Sequence, residues 1–173
     1  MKKEEIFPVV DPTGKVVGKA TRQDCHSGSM KLHPVVHMHI MDGDGRILLQ
    51  KRSENKDIQP GRWDTAVGGH VDYGEEVKDA LLRECREELG IHPQNFFHLI
   101  TYEFNSEVER ELVHAYCMIV DAATFNLKPD NDEIQEVRFW TPDEIEQAKG
   151  QLILTPNFES EYERVKPLMY ELI

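Results

Sequence analysis

Apolar residues fall into short alternating runs along most of this chain, and each run ends at turn-forming residues. EIFPVV (5–10) and KVVGKA (15–20) flank Asp11-Pro12-Thr13-Gly14, which predicts a β-hairpin over residues 6–20. The segment from Thr21 to Leu32 is polar and without a period, so irregular chain is expected there. VVHMHIM (35–41) and RILLQKR (46–52) read as strands joined by Asp42-Gly43-Asp44-Gly45, a second hairpin. A charged loop, SENKDIQPGR (53–62), leads to a strand from Trp63 to Val71. NFFHLITYEF (95–104) and RELVHAYCMIV (110–120) predict two more strands, connected through Asn105-Ser106. An acidic, Pro-containing loop at 128–133 then precedes the short strand EVRFW (136–140).

Between these strands the period changes. After Gly68-Gly69 and a polar loop, Val77, Leu81, Cys85 and Leu89 recur every four residues with Ala80 beside them, and Gly90 follows. That pattern predicts a helix with one apolar stripe and a glycine stop. Thr141-Pro142-Asp143-Glu144 has the cap, first-turn Pro and first-turn acids of a brief helix running to Lys149. A last helix is expected from about Asn157 to the C-terminus. Mixed strands with a few helices predict an α/β fold, a sheet layered between helices.

At about 100° per residue, Glu84, Glu87 and Glu88 share an arc that overlaps the apolar stripe of the glutamate helix. Three carboxylates so close repel one another and lose water, which disfavours their charged forms. A solvated helix face is one reading. The other is a divalent cation site, since hard ions such as Mg²⁺ choose carboxylate oxygens.

The full spacing decides more. Gly69, five residues, Glu75, seven residues, then Arg83-Glu84-Cys85-Arg86-Glu87-Glu88-Leu89-Gly90-Ile91 matches the signature of the Nudix hydrolases at every defined position, with Cys85 and Ile91 in its aliphatic slots. The chain is identified as a member of that family. The resemblance implies a Nudix-type α/β/α sandwich with a mixed central sheet over roughly residues 34–150, its box at 69–91. The whole chain then reads as one Nudix domain (1–173) with the N-terminal hairpin (1–32) as an extension. It also implies metal-dependent hydrolysis of a diphosphate, with Mg²⁺ or Mn²⁺ held by Glu84, Glu87, Glu88 and the Gly69 carbonyl. Glu84 is then a candidate for orienting water, and Arg83 with Glu75 resembles the pair that fixes the loop to the helix. The general base of such enzymes often lies outside the box; Glu109, Glu111, Glu133 and Glu136 are the candidates, Glu111 the favoured one.

A second resemblance narrows the branch. His26 and His33, LLQKRSENKDIQPGRW, GHVDYGE and Glu109-Arg110-Glu111 resemble the isopentenyl-diphosphate isomerases of the same superfamily. In those enzymes the matching histidines and glutamates bind a divalent metal, so His26, His33, His70, Glu109 and Glu111 form a candidate second site, suited to Mn²⁺ or Zn²⁺. Arg22, Arg52 and Lys56 match positions that contact the diphosphate. Those isomerases, however, need a cysteine where this chain has Gly68, and they lose part of the glutamate set that is complete here. The expected activity is therefore a pyrophosphohydrolase acting on a nucleoside- or prenyl-type diphosphate. The rivals are an isomerase, and a sensor that binds a nucleotide or sugar diphosphate without turnover.

Composition sets the surroundings. A chain of 173 residues with 39% hydrophobic and 30% charged residues is long enough for one real core. Net charge of −12 argues against nucleic-acid or membrane-surface partners and makes an anionic substrate depend on metal ions and local basic residues. Cys25, Cys85 and Cys117 form no CxxC pair and fit free thiols in a reducing cytoplasm; no long apolar run marks a leader or a membrane span. Cys85, His37, His39, Trp63 and Trp140 read as structural. Leu168, Met169, Leu172 and Ile173 read either as internal packing or as a homodimer surface.

Overall fold

The computed structural model describes residues 4–56 and 58–173. Its elements are β1 (Ile6–Val10), β2 (Val16–Thr21), α1 (Arg22–Cys25), β3 (Leu32–Asp42), β4 (Ile47–Arg52), β5 (Trp63–Thr65), β6 (Val67–His70), α2 (Val77–Leu89), β7 (Phe97–Asn105), β8 (Arg110–Val120), β9 (Ile134–Trp140), α3 (Pro142–Ala148) and α4 (Pro156–Tyr170). The expected α/β/α sandwich is present, with a mixed sheet between helices.

Strand β3 is the axis. It runs parallel to β8, in register from Leu32–Arg110 to Asp42–Val120, and β7 lies antiparallel on β8. Successive side chains of a strand face opposite sides. Val36, Met38 and Ile40 accordingly pack with Leu48 against Ala80, Leu81, Cys85 and Leu89 of α2. Met41, Ile47 and Leu49 join Ala115 and Cys117 under Ile145 of α3 and Phe158, Tyr162, Val165 and Met169 of α4. Cys85, Trp63 and Trp140 are core residues as expected; the two indoles meet edge-on at 5.2 Å, with the Arg138 guanidinium 4.0 Å from the Trp140 ring centre. Of the apolar C-terminal residues, Met169 is fully buried and Leu172 packs beside the same core, while Ile173 is exposed.

Three expectations change. The polar stretch after Thr21 is not wholly irregular: Thr21 Oγ1 accepts from Asp24 N at 3.1 Å and caps the single turn α1. The hairpin of β3 and β4 keeps one pair, Met41–Ile47, and then splays. The strand expected from Trp63 to Val71 breaks at Ala66, so that β5 pairs with β4 while β6 pairs with β3. The break costs little because Gln50 Nε2 donates to the Ala66 carbonyl at 2.9 Å, satisfying a buried group. Splaying opens a cleft between β3–β6 and β4–β5, and the chemistry of the chain collects there.

The N-terminal hairpin forms its own two-stranded sheet, tied to the rest by Tyr73 N to Ile6 O at 2.8 Å and Gly28 N to Val108 O at 2.9 Å. At the far end of α2, Gly90 adopts φ 65° and donates to Arg86 O, while Lys128 N and Asp130 N bond to Leu89 O and Glu88 O. No helix among the described residues is long and apolar enough to cross a membrane.

Gly90→Ala is expected to lower stability by about 1–3 kcal/mol, because a side chain in the left-handed region is strained. Its Cβ would also stand 2.9 Å from Lys128 Cβ. Urea unfolding should show a lower midpoint at unchanged slope.

Candidate active site

Helix α2 starts after the turn Asp72–Glu76 and presents its glutamates to β6. A Cβ on Gly69 would overlap the Glu84 carboxylate, so the glycine is what lets that carboxylate lie against the β6 backbone. Glu88, one turn further on, faces inward, hydrogen-bonds with Glu84, and accepts from Gln50 Nε2 at 3.0 Å and Gly68 N at 3.3 Å. Burial, then the neighbouring Glu84 charge, pushes the Glu88 carboxyl well above its ordinary range, and burial raises Glu84 as well. Glu87 differs: its side chain is 53% exposed and leans on Arg83 at 3.3 Å. The three carboxylates therefore meet at the cleft edge without converging on a single point.

Arg83 is the fastener. Its Nε and NH2 grip Glu75 at 2.9 and 3.0 Å, NH2 also donates to His70 O at 2.9 Å, and NH1 reaches Glu84 at 2.8 Å. Glu75 in turn accepts from Asp72 N at 3.0 Å. Burial alone would raise the Glu75 carboxyl, but the bonds from Arg83 and Asp72 outweigh it and hold it low. The pair does what its position in the box implied, joining loop to helix.

On the opposite side of β6 five residues from distant segments meet. His26 Nε2 lies 3.2 Å from His70 Nε2 and 3.2 Å from Glu109 Oε2; Glu111 Oε2 lies 3.9 Å from both His33 Nε2 and His70 Nε2. Among the described residues, His26–His33–His70 and His33–Glu109–Glu111 are the groups whose donor atoms lie within 4.8 Å of one another. His33 Nδ1 donates to Lys31 O at 3.0 Å, which leaves a bare lone pair on Nε2, fully buried and without a protein partner. Burial keeps all three imidazoles below their usual pKa, His70 most of all, where nearby Arg22 adds to the effect; burial also raises Glu111 to about 7. Phe7 of β1 stacks on His70 at 4.4 Å and nearly parallel, covering one face of that ring.

The cleft itself encloses about 890 Å³, a size typical of small-molecule sites. Arg22, Arg52 and Lys56 all line it. Each is already paired: Arg22 with Glu5 at 2.9 Å, Arg52 with Asp64 at 3.6 Å, Lys56 with Glu133. Of the base candidates, Glu109 and Glu111 border the cleft with the histidines, Glu133 is held by Lys56, and Glu136 is exposed on β9 outside the lining. Sequence reasoning missed Gln50, which serves the break at Ala66, and Asp64, which pairs with Arg52 and accepts from Thr155 Oγ1 at 3.0 Å, and it missed Glu161. It also read His37 as structural, yet His37 stands in the cleft wall. No local pattern marks these positions.

The NUDIX domain family model matches residues 31–158. An uncharacterized Nudix hydrolase of Yersinia pestis is 32% identical over 173 residues, covering 94% of this chain and 93% of that protein. An isopentenyl-diphosphate Delta-isomerase of Mycolicibacterium vanbaalenii is 30% identical over 144 residues, 80% of this chain and 77% of its own. The crystal structure of DR0079 from Deinococcus radiodurans superposes with a TM-score of 0.77 at 23% identity, over 93% of this chain and 99% of that one.

Gly69→Ala tests the close approach of Glu84. The fold should survive, since what must move is the Glu84 side chain from Cγ outward and not backbone, while Mn²⁺ affinity measured by calorimetry should fall about 10–100-fold, the usual effect of misplacing a ligand. Unchanged affinity would mean that Glu84 takes no part in holding a cation.

Proposed function

The chain belongs to the Nudix family, and on that premise we propose that it is a metal-dependent pyrophosphohydrolase, cleaving a phosphoanhydride bond in a nucleoside diphosphate-linked or similar diphosphate. One observation carries the reading. The complete glutamate set of the box is folded against Gly69 at the rim of a polar cleft, and glycine occupies position 68, where the isomerases that the chain resembles need a thiol. Gly68 stands opposite His37 in the β3–β6 ladder and its N–H donates to Glu88, and no cysteine lies in the cleft lining; Cys25, Cys85 and Cys117 are all buried.

Gly69, Glu84, Glu87 and Glu88 would hold Mg²⁺ or Mn²⁺, and their donor set fits: oxygen ligands only, with charges crowded enough that the carboxyls resist ionisation alone. The cluster of His26, His33, His70, Glu109 and Glu111 would hold a second ion of the Mn²⁺ or Zn²⁺ type. The orphaned Nε2 of His33 supports this, because a buried lone pair without a partner is costly unless something accepts it. When bound, such ions neutralise phosphoryl oxygens and lower the pKa of water.

The chain's own groups do the rest. Arg83 fixes Glu84 and the loop backbone, so the carboxylates are oriented before substrate arrives. Phe7 excludes solvent from one side of His70. Arg22, Arg52 and Lys56 line the cleft and would offer donors to the diphosphate. Glu111 is the favoured base among the four candidates, for it is the more enclosed of the two cleft carboxyls without a Lys or Arg partner, while Glu133 is committed to Lys56 and Glu136 is exposed outside the lining. Positioning and charge neutralisation are what phosphoryl transfer demands, and little covalent chemistry is asked of the protein.

The decisive experiment is phosphate or pyrophosphate release from nucleoside triphosphates, dinucleotides, sugar nucleotides and isopentenyl diphosphate, with Mg²⁺ and with Mn²⁺. Turnover should vanish with EDTA and fall at least about 100-fold in Glu87→Gln, the order expected for losing one transition-state stabiliser, at unchanged melting temperature. Silence across the panel from a folded, metal-loaded protein would replace catalysis by binding alone. Metal analysis supplies a separate check: His33→Gln should remove one class of bound ion and leave the other. Equal metal content in wild type and variant would leave the histidine cluster without its proposed ion.

A further inference from the structure

Glu161, near the start of α4, is almost completely buried, yet no cation of the Lys or Arg type neutralises it among its hydrogen-bond partners. Its Oε1 accepts from His37 Nδ1 at 2.8 Å and from the Tyr102 hydroxyl at 2.6 Å, and its Oε2 accepts from His39 Nε2 at 2.5 Å. A carboxylate with three donors converging from β3 and β7 is a clamp, and the two histidines it holds have different fates. His39 is wholly buried under Phe158. The His37 side chain is 22% exposed, and it stands in the wall of the cleft.

What bares His37 is the neighbouring glycine. Gly68 is its partner across the ladder, and a Cβ there would lie 3.1 Å from His37 Cδ2 and 3.6 Å from Nε2. Because position 68 has no side chain, the Nε2 edge of the ring opens to the cleft while the Nδ1 edge is committed to Glu161. Burial alone would lower the His37 pKa, but the charge and hydrogen bond of Glu161 outweigh it and raise it to about 9. Reciprocally, burial would raise the Glu161 carboxyl, and the charge and hydrogen bond of His37 hold it well below the usual range. The Lys and Arg side chains of the cleft lining are each already paired with a carboxylate, whereas the Nε2 donor of His37 has no partner among the described residues.

We infer that His37 is a substrate-contacting residue of this site, clamped by Glu161 and donating through Nε2 across Gly68 to an anionic oxygen of the diphosphate. The inference rests on the pyrophosphohydrolase reading. It assigns Gly68 a positive purpose, an opening for His37, in place of the thiol that the isomerases need there. Glu161 and Tyr102 become positioning residues, fixing which ring edge faces the substrate.

The test uses the full chain with Mg²⁺ and methylenediphosphonate, a diphosphate that cannot be hydrolysed. Nitrogen-15 correlation spectra of the wild-type imidazoles should show His37 Nε2 moving on saturation with this probe. Two variants then separate contact from scaffold. His37→Gln removes the charged donor, and Gly68→Ala keeps the imidazole but sets a methyl group against it, 3.1 Å from Cδ2 and 3.6 Å from Nε2, so that the ring gives by a few tenths of an ångström and its Nε2 edge is crowded. Each should weaken methylenediphosphonate binding about tenfold or more, the effect of losing a charge-assisted hydrogen bond, with Mg²⁺ affinity unchanged. Should His37→Gln fail to fold, the wild-type spectra and Gly68→Ala still decide. Full affinity in folded variants, or a His37 signal that stays still while others in the cleft move, overturns the inference and leaves the hydrolase reading standing. A wild-type protein that binds no methylenediphosphonate in Mg²⁺ removes both.

Discussion

The loop, strand and helix that carry the box glutamates lean on one guanidinium. Arg83 bridges the loop carboxylate of Glu75, the carbonyl of His70 on β6 and the box glutamates 84 and 87, so loop, strand and helix cannot shift independently. Breaking a fully buried ion pair costs about 3–5 kcal/mol, chiefly because the remaining charge is stranded. Arg83 and Glu75 keep 20% and 18% exposure, so water would recover part of that. Orientation would suffer more than stability. The planar fork serves several acceptors at once, which a lysine ammonium in the same place could not do with the same geometry.

The second dependence is topological. Because β3 and β4 share only one pair before they diverge, the segment 63–70 has to change partners, and Gly68 and Gly69 come to lie where the sheet has opened. Helix α2 fills the opening from one face with Glu84 and Glu88; the histidines approach it from the other. His70 belongs to β6, His33 to β3, and His26 follows α1, while Glu109 and Glu111 come from the start of β8. The N-terminal hairpin is thus no decoration on the domain. It carries the turn that presents His26, and its Phe7 covers His70.

How much of this was legible follows from the range of each interaction. The box could be read because it is local: a loop, an amphipathic helix and a glycine stop lie within 23 residues; their spacing gives the glutamate arc, and the resemblance to the Nudix signature implies the Arg83–Glu75 pair. The histidine cluster was legible only through resemblance, since nothing in the spacing of residues 26, 33, 70, 109 and 111 says that four chain segments converge. The splay of β3 from β4 was not legible. Both strands carry good hairpin patterns, and the deciding features, a side chain from Gln50 satisfying Ala66 and β6 capturing the edge of β3, act between separate segments. Glu161 was invisible for the same reason. In sequence it is one acid among several on an amphipathic helix, and only the crossing of α4 over β3 makes it a buried clamp.

Charge supplies the last constraint on how such a site could work. The protein carries −12 overall, and the basic residues of the cleft are each matched by a carboxylate: Glu5, Asp64, Glu133, or Glu75 with Glu84. Paired charges project little field, and at physiological salt what remains is screened within about 8 Å. On the hydrolase reading, the cleft offers a diphosphate few free cations, and the carboxyls of Glu84, Glu88, Glu109 and Glu111, which burial keeps from ionising readily, offer none. Metal loading would then govern affinity for the substrate as well as the chemical step. Pre-paired arginines and lysine would then act late, exchanging a carboxylate partner for a phosphoryl oxygen once the ions had drawn the substrate in.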